Sequence, residues 1–560
     1  MSGLIIILVS LGTFFLLAFG GGLLVVGRIP GSPVQRLALA PFAGLFIVYL
    51  GATGCHLLTS PPAGWLLLAV PAFIGCWVGR TEARRWLKDP TCRHVLTGWG
   101  TFTAMSLILL SLIRNYSGGD WIGDWAGHYH RAQYFLHPAG DWTWMLERDP
   151  LGGRPPLQNL ITAAMLAITG ESFPAYQVIT LLLGSLIYLP AALLLHQQPR
   201  ALRWLPVVLL ACPLVIQNLT YPWTKMGTNA WVLLALALGW SARDRLTVAM
   251  AAAALAAAVL SHYSAAVYLV VLAPVFAWKQ WREGRPDCIA VVGLTTAAVL
   301  LTWFGWASVQ LGAEAFGGTT TSSVEFTQRG GLDGQGAVFG ENLARTFVPH
   351  FLLPRPPVGS PPSDPWAALR DSAFQLYQTN LLFAPGLAML ALLAGRLRSG
   401  LRHGGYGVLL GGIILLGIAV HTAPTHWGAA HICLQPLVIL ALVAAAHLLG
   451  QRARPPGWWG ALLAVDLALG IGLQLGVESL AVPEAAIAWQ AGQPLRELYG
   501  QAMWANSAAK AAFSYQFLGD LWPWPGWING VAAAAGFVGL LARALRHPSA
   551  ALPTGNASQH

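Results

Sequence analysis

Apolar runs of about 15 to 25 residues recur from one end of this 560-residue chain to the other, and a run of that length needs a hydrocarbon solvent or a very large core. Charged residues make up 10% of the chain and hydrophobic ones 55%. A soluble domain normally carries about 25% charged residues. The composition therefore excludes an ordinary soluble enzyme and predicts an all-α polytopic membrane protein, because only helices or closed barrels satisfy the backbone in lipid. The runs predict about fifteen transmembrane helices. The first, "LIIILVSLGTFFLLAFGGGLLVVG", is too long for a signal h-region and lacks a basic n-region, so it reads as a retained helix.

The distribution of charge sets the expected topology. With the N-terminus outside, one side receives "GRIPGSPVQR", "RTEARRWLKDPTCR", "PRALR", "ARDR", "KQWREGR", "RLRSGLR", "QRAR" and "RALR". That side holds 21 of the 32 Lys and Arg and only 5 of the 22 acids. The bias makes it the cytoplasmic side and accounts for the net charge of +10 without nucleic acid. The segment "PLQNLITAAMLAI" (156–168) is too short to span; a crossing there would put every later basic loop outside, so it is expected to be interfacial or re-entrant. No cysteine pair falls in an outer loop, so no disulfide is expected. Ala-rich, Arg-over-Lys usage suggests a bacterium.

Five regions follow. Residues 1–96 form N-terminal transmembrane helices. Residues 97–306 form a transmembrane core with a first outer loop, 115–172. A second large outer loop covers 307–376. Residues 377–546 form a C-terminal transmembrane region, with one helix expected over 377–395 and an outer loop at 477–524 carrying amphipathic helices. Residues 547–560 read as a disordered tail. The basic-side loops are short, so the functional apparatus is expected on the outer face.

The outer stretch "GGDWIGDWAGHYHRAQYF" (118–135) is the densest in chemistry. Read as a helix, it places Asp120, Asp124, His128 and Arg131 on one stripe, with Asp120 as N-cap and Trp121, Trp125, Tyr129 and Tyr134 as apolar surface. The plain alternative is an interfacial helix with aromatics at headgroup level and charges in water. That accounts for the rings, but not for two carboxylates, an imidazole and a guanidinium in line, and ionisable groups at a membrane cleft are usually functional.

This stretch, followed by "LGGRPPLQNLITAAMLAITGESFPAYQVITLLLGSLIYLPAALLL", resembles the GT-C glycosyltransferases, such as protein O-mannosyltransferases and aminoarabinose transferases. The shared features are a carboxylate motif after a transmembrane helix and a basic residue before a Pro-rich start to an amphipathic segment. A Gly and the next long helix then follow. Two departures are plain: the Asp loop follows the fourth helix rather than the first, so three helices look like an addition, and the commonest Asp-Glu pair is absent. The resemblance implies an inverting transfer of a sugar from a polyprenyl-phosphate donor to an envelope lipid, glycan or protein. The reaction would take place on the outer face of the cytoplasmic membrane. It implies Asp124 as catalytic base, with Asp120 second, and Arg154 in "GGRPP" as the donor-phosphate cation. His128 and Arg131 would orient the carboxylate or touch phosphate. Such chemistry needs a base for the acceptor hydroxyl and cations for the leaving phosphate.

Other candidates stand beside these. Lys225 in "NLTYPWTKMGTN" reads as a phosphate ligand or a snorkelling side chain. His262, at an outer turn, reads as structural or as a ligand, and Tyr129 joins it as a further candidate. Arg345, His350 and Arg355 in "RTFVPHFLLPRPP" read as phosphate-binding or as solvated loop. His421, His426 and His431 lie five residues apart around Pro424, which does not suit a metal site, and none is expected. No cofactor is required, and a divalent cation remains open. Asp466 reads as a hydrogen-bonding group within a helix or as part of a polar cavity. A rival function, a transporter or flippase of lipid-linked glycans, would need mid-membrane charges and an internal repeat; only Asp466 lies mid-helix and no repeat is visible. An O-antigen-ligase-like or polymerase-like enzyme would instead rest on the loop Arg and His residues.

Overall fold

The computed structural model describes residues 2–116, 124–148, 150–312, 332–353, 365–400, 404–420, 433–452, 454–480 and 515–546. All their regular elements are helices. Six helices are long and apolar enough to cross a bilayer: Gly3–Val26, Pro33–Leu57, Phe173–Leu195, Asp287–Leu311, Gly457–Glu478 and Gly526–Leu545. Among the described residues the number is up to eight if each of two bent pairs is one span. Some of the runs are not single straight helices. Apolar runs are cut by Pro and Gly into shorter pieces, such as Pro199–Leu210 and Pro213–Thr220, which meet at 65°. Cys212 ahead of Pro213 is extended (φ −86°, ψ 115°), as a residue before proline tends to be.

The first helices pack through small residues. A methyl group on Gly44 would lie 1.9 Å from the Ala18 carbonyl oxygen, and one on Gly22 1.9 Å from that of Ala40. These are backbone atoms and cannot swing away, so the two helices touch main chain to main chain, as small residues allow in membranes. Gly44→Val should therefore lower the melting temperature of the purified protein, through an overpacking cost of about 1–3 kcal/mol or more. Gly12→Ala, which meets open space within 4 Å, should leave the melt unchanged.

Residues 156–168, expected to be interfacial or re-entrant, do not lie exposed on the surface. They form the helix Leu157–Thr169, buried on nearly every side and packed between Pro33–Leu57, Asp124–Leu136 and the Gly3–Phe14 turns. The single helix expected over 377–395 is two helices, Pro365–Thr379 and Leu387–Gly400. The break falls at Pro385 and Gly386, whose φ of +89° favours glycine. Asp466 stabilises it: its carboxylate accepts from the Tyr377 hydroxyl (3.0 Å) and from the backbone N–H groups of Leu387 (2.9 Å) and Ala388 (3.0 Å). It thus caps the second helix. Helices also occur inside the segments 115–172 and 307–376, expected outside: Asp124–Leu136, Thr143–Arg148 and Leu157–Thr169 in the first, Leu332–Phe347 in the second. The six cysteines are all unpaired.

Candidate functional site

Asp124 is the first described residue of the helix Asp124–Leu136. Asp120 lies outside the described residues. His128 and Arg131 follow on the same stripe, and both are buried, not in water as a headgroup-level helix would have them. The aromatics are buried too. Trp125 packs edge-on against Phe173 with centroids 5.1 Å apart, Tyr129 lies 5.1 Å from Tyr176, and Phe173 stacks on Tyr515 at 5.1 Å. This cluster fixes the rotation of the helix about its axis. Burial pushes the Tyr129 and Tyr515 hydroxyls above the usual tyrosine range. Tyr129 donates to the Glu171 carbonyl at 2.8 Å, a bond that helps to hold the helix.

The charged stripe is tied to the segment around Arg154. His128 Nδ1 lies 3.0 Å from Asn159 Oδ1, while Asn159 Nδ2 donates to the Pro155 carbonyl at 3.4 Å. That orientation of the amide makes Oδ1 the acceptor, so His128 donates from Nδ1. Arg131 Nη2 donates to the Pro150 carbonyl at 2.8 Å, and the Tyr263 hydroxyl donates to that of Gly152 at 3.0 Å. Burial pushes the Tyr263 hydroxyl up to about 12, which keeps it a donor. These bonds pin the turn Leu151–Gly153. Arg154 then emerges half-buried and extended (φ −136°, ψ 137°), just before Pro155 and Pro156 and the N-terminus of Leu157–Thr169.

Lys225 opens the helix Lys225–Ser241 and is buried, its ammonium 3.9 Å from the centre of the Trp223 ring. The preceding turn is held by the Tyr116 hydroxyl on the Thr220 carbonyl (3.1 Å) and the Tyr176 hydroxyl on the Pro222 carbonyl (3.0 Å). A methyl group on Gly227 would lie 2.5 Å from Gln158 Oε1. The first turns of two helices therefore touch. One is preceded by Arg154 and the other starts on Lys225. Each N-terminus presents backbone N–H groups and the positive end of a dipole, so the junction is suited to an anion.

His262 caps the neighbouring turn, its Nδ1 accepting from the Ser264 N–H at 3.2 Å, which is a structural role. His350 and Arg345 are held elsewhere: His350 Nε2 lies 3.0 Å from Ser372 Oγ and Arg345 pairs with Glu341 at 2.8 Å. Nearby, the buried Arg370 bonds Asp371 at 2.6 Å and the buried Glu478 at 2.5 Å. Arg355, His421, His426 and His431 lie outside the described residues. Among the described residues no group of three or more His, Cys, Asp or Glu could hold a metal ion. Sequence reasoning missed Asn159 and Gln158, polar residues in an apolar helix whose meaning depends on what they touch.

No family model and no curated protein matches the chain. Two solved structures of ArnT from Cupriavidus metallidurans are similar to it. The one bound to undecaprenyl phosphate shows 16% identity and a TM-score of 0.44, and the apo one 17% and 0.40; each comparison covers 80% of this chain and 77% of that chain.

Proposed function

We propose that the protein is a GT-C-like membrane glycosyltransferase that takes a sugar from a polyprenyl-phosphate donor and passes it to an envelope lipid, glycan or protein. The observation that carries this reading is the contact of the two helix N-termini at Gln158 and Gly227, with Arg154 and Lys225 at their starts and the Asp124 helix bonded to the same segment through His128 and Asn159. The cations and N–H groups would hold the donor phosphate and carry its charge as the glycosidic bond breaks. Asp124, or Asp120 before it, would take the proton of the acceptor hydroxyl. His128, with its proton on Nδ1, and Arg131 would set the position of the carboxylate's helix. No cofactor enters the scheme.

The transporter reading loses its main feature. Asp466, the one mid-helix acid picked out in the sequence, is occupied as a helix cap by three donors. The two functions differ chemically: incubated with a polyprenyl-phosphate sugar and an envelope extract that supplies the acceptor, the purified protein should pass the sugar to an acceptor hydroxyl and release the free polyprenyl phosphate, whereas a flippase would return the lipid intact. Chromatography of the extracted lipid decides between them.

The reading also places the site on the outer face. Ser117→Cys and Ser360→Cys, each in a background without native cysteines, should both react with an impermeant maleimide in intact cells, while a cysteine at Arg243 should not. Labelling of Ser117→Cys and Ser360→Cys from opposite sides would contradict the topology.

A further inference from the structure

At the other end of the Lys225–Ser241 helix from Lys225, a cavity of about 850 Å³ opens among the basic loops. Its walls come from the ends of four helices. Lys279 Nζ and Arg285 Nη2 both donate to the Ala242 carbonyl, at 3.3 and 3.2 Å. Both also engage Glu283, Lys279 at 3.1 Å. Lys279 beside it holds the Glu283 carboxyl below the usual carboxylate range, so it remains an anion. Arg243 lines the same cavity and makes no ion pair with any described residue. The nearby acids are engaged: Asp244 accepts from Thr247, and Asp287 pairs with Arg245. Three cations against one carboxylate leave two positive charges in excess on the wall, before any charge on His196.

We propose that this cavity holds the phosphate of an anionic phospholipid headgroup from the leaflet on the basic side. Two observations favour a lipid over a dissolved phosphate. Trp240 on the rim is 51% exposed, and Trp278 and Trp281 on the adjoining helix are 56% and 60% exposed. Exposed tryptophans at one level mark the interface between headgroups and chains, so the cavity opens at headgroup depth. Its remaining wall, with Leu193, Leu194 and Ala237, is apolar and suits the start of an acyl chain. Lys279 and Arg285 are already tethered to one carbonyl, so little side-chain entropy remains to be lost on binding. The site is independent of the transferase reading.

The test uses the full-length protein in neutral detergent and a fluorescent phosphatidylglycerol, with its phosphatidylcholine counterpart as control. Wild type should bind the anionic lipid at least about ten-fold more tightly, as roughly 1 kcal/mol per basic residue implies for two excess charges. Arg243 makes no ion pair with any described residue, so Arg243→Gln should melt normally yet bind about five-fold more weakly, and Arg243→Glu about twenty-five-fold. Equal affinity for the two lipids, or unchanged binding by Arg243→Glu, would overturn the proposal. Displacement of the lipid by millimolar inorganic phosphate would overturn the lipid as the source of the phosphate; no displacement is expected.

Discussion

Asp124→Asn should reduce turnover by at least about 10²-fold while leaving donor binding nearly intact. The substitution keeps the shape of the side chain and removes its charge, so it removes the base without disturbing the donor. The position matters as much as the residue. Asp124 stands at the head of the described helix Asp124–Leu136, which is fixed in rotation by Trp125 and Tyr129 in the aromatic cluster and by the His128–Asn159 bond. The same helix is bonded through His128 to Asn159, just after Arg154. Single-turnover kinetics of the purified variant check the expectation. Near-normal turnover would remove Asp124 from the chemistry and move the role to Asp120.

Arg154→Ala should weaken donor binding by roughly 2–4 kcal/mol, the range for removing one partner of a buried charge pair, and Arg154→Lys should weaken it less. A guanidinium grips two phosphate oxygens in one plane, whereas an ammonium is a point charge. The structure supplies the rigidity this requires. Arg131 and Tyr263 hold the carbonyls of Pro150 and Gly152, and two prolines follow. A loop-surface arginine paired with Glu147 or Asp149 would instead contribute about 0–1 kcal/mol and fade with salt. Equilibrium binding of a lipid-phosphate sugar at two salt concentrations separates these. Unchanged affinity in Arg154→Ala would shift the site toward Lys225 or the Arg345 to Arg355 segment.

The parts of this account that were legible in the sequence are those governed by local periodicity. The stripe Asp124, His128, Arg131 follows from 3.6 residues per turn, and the cut at Pro213 follows from the ring. Tertiary partners are not written locally. Asn159 sits in "PLQNLITAAM", where nothing marks it as the partner of His128, 31 residues away. Arg370 and Glu478 bond across 108 residues, and each alone reads as a solvated charge. Residues 377–395 read as one helix because the apolar run is nearly continuous. The break needed Asp466 from another helix to satisfy the new N-terminus. The length of the segment after Arg154 shows that it is too short to span, but not that neighbours cover nearly every face of its 13-residue helix.

The central claim is that a lipid-linked phosphate lies where the Arg154 segment meets the Lys225 helix. It is tested most directly by photo-crosslinking. A polyprenyl-phosphate analogue with a photoreactive group next to the phosphate is bound to the full-length protein, irradiated, and the adducts are mapped by mass spectrometry. The account predicts adducts within 150–159 and 221–229, lost in Arg154→Ala and retained in Asp124→Asn. Adducts concentrated instead on 341–353 and 365–379, around His350 and Arg370, would contradict it.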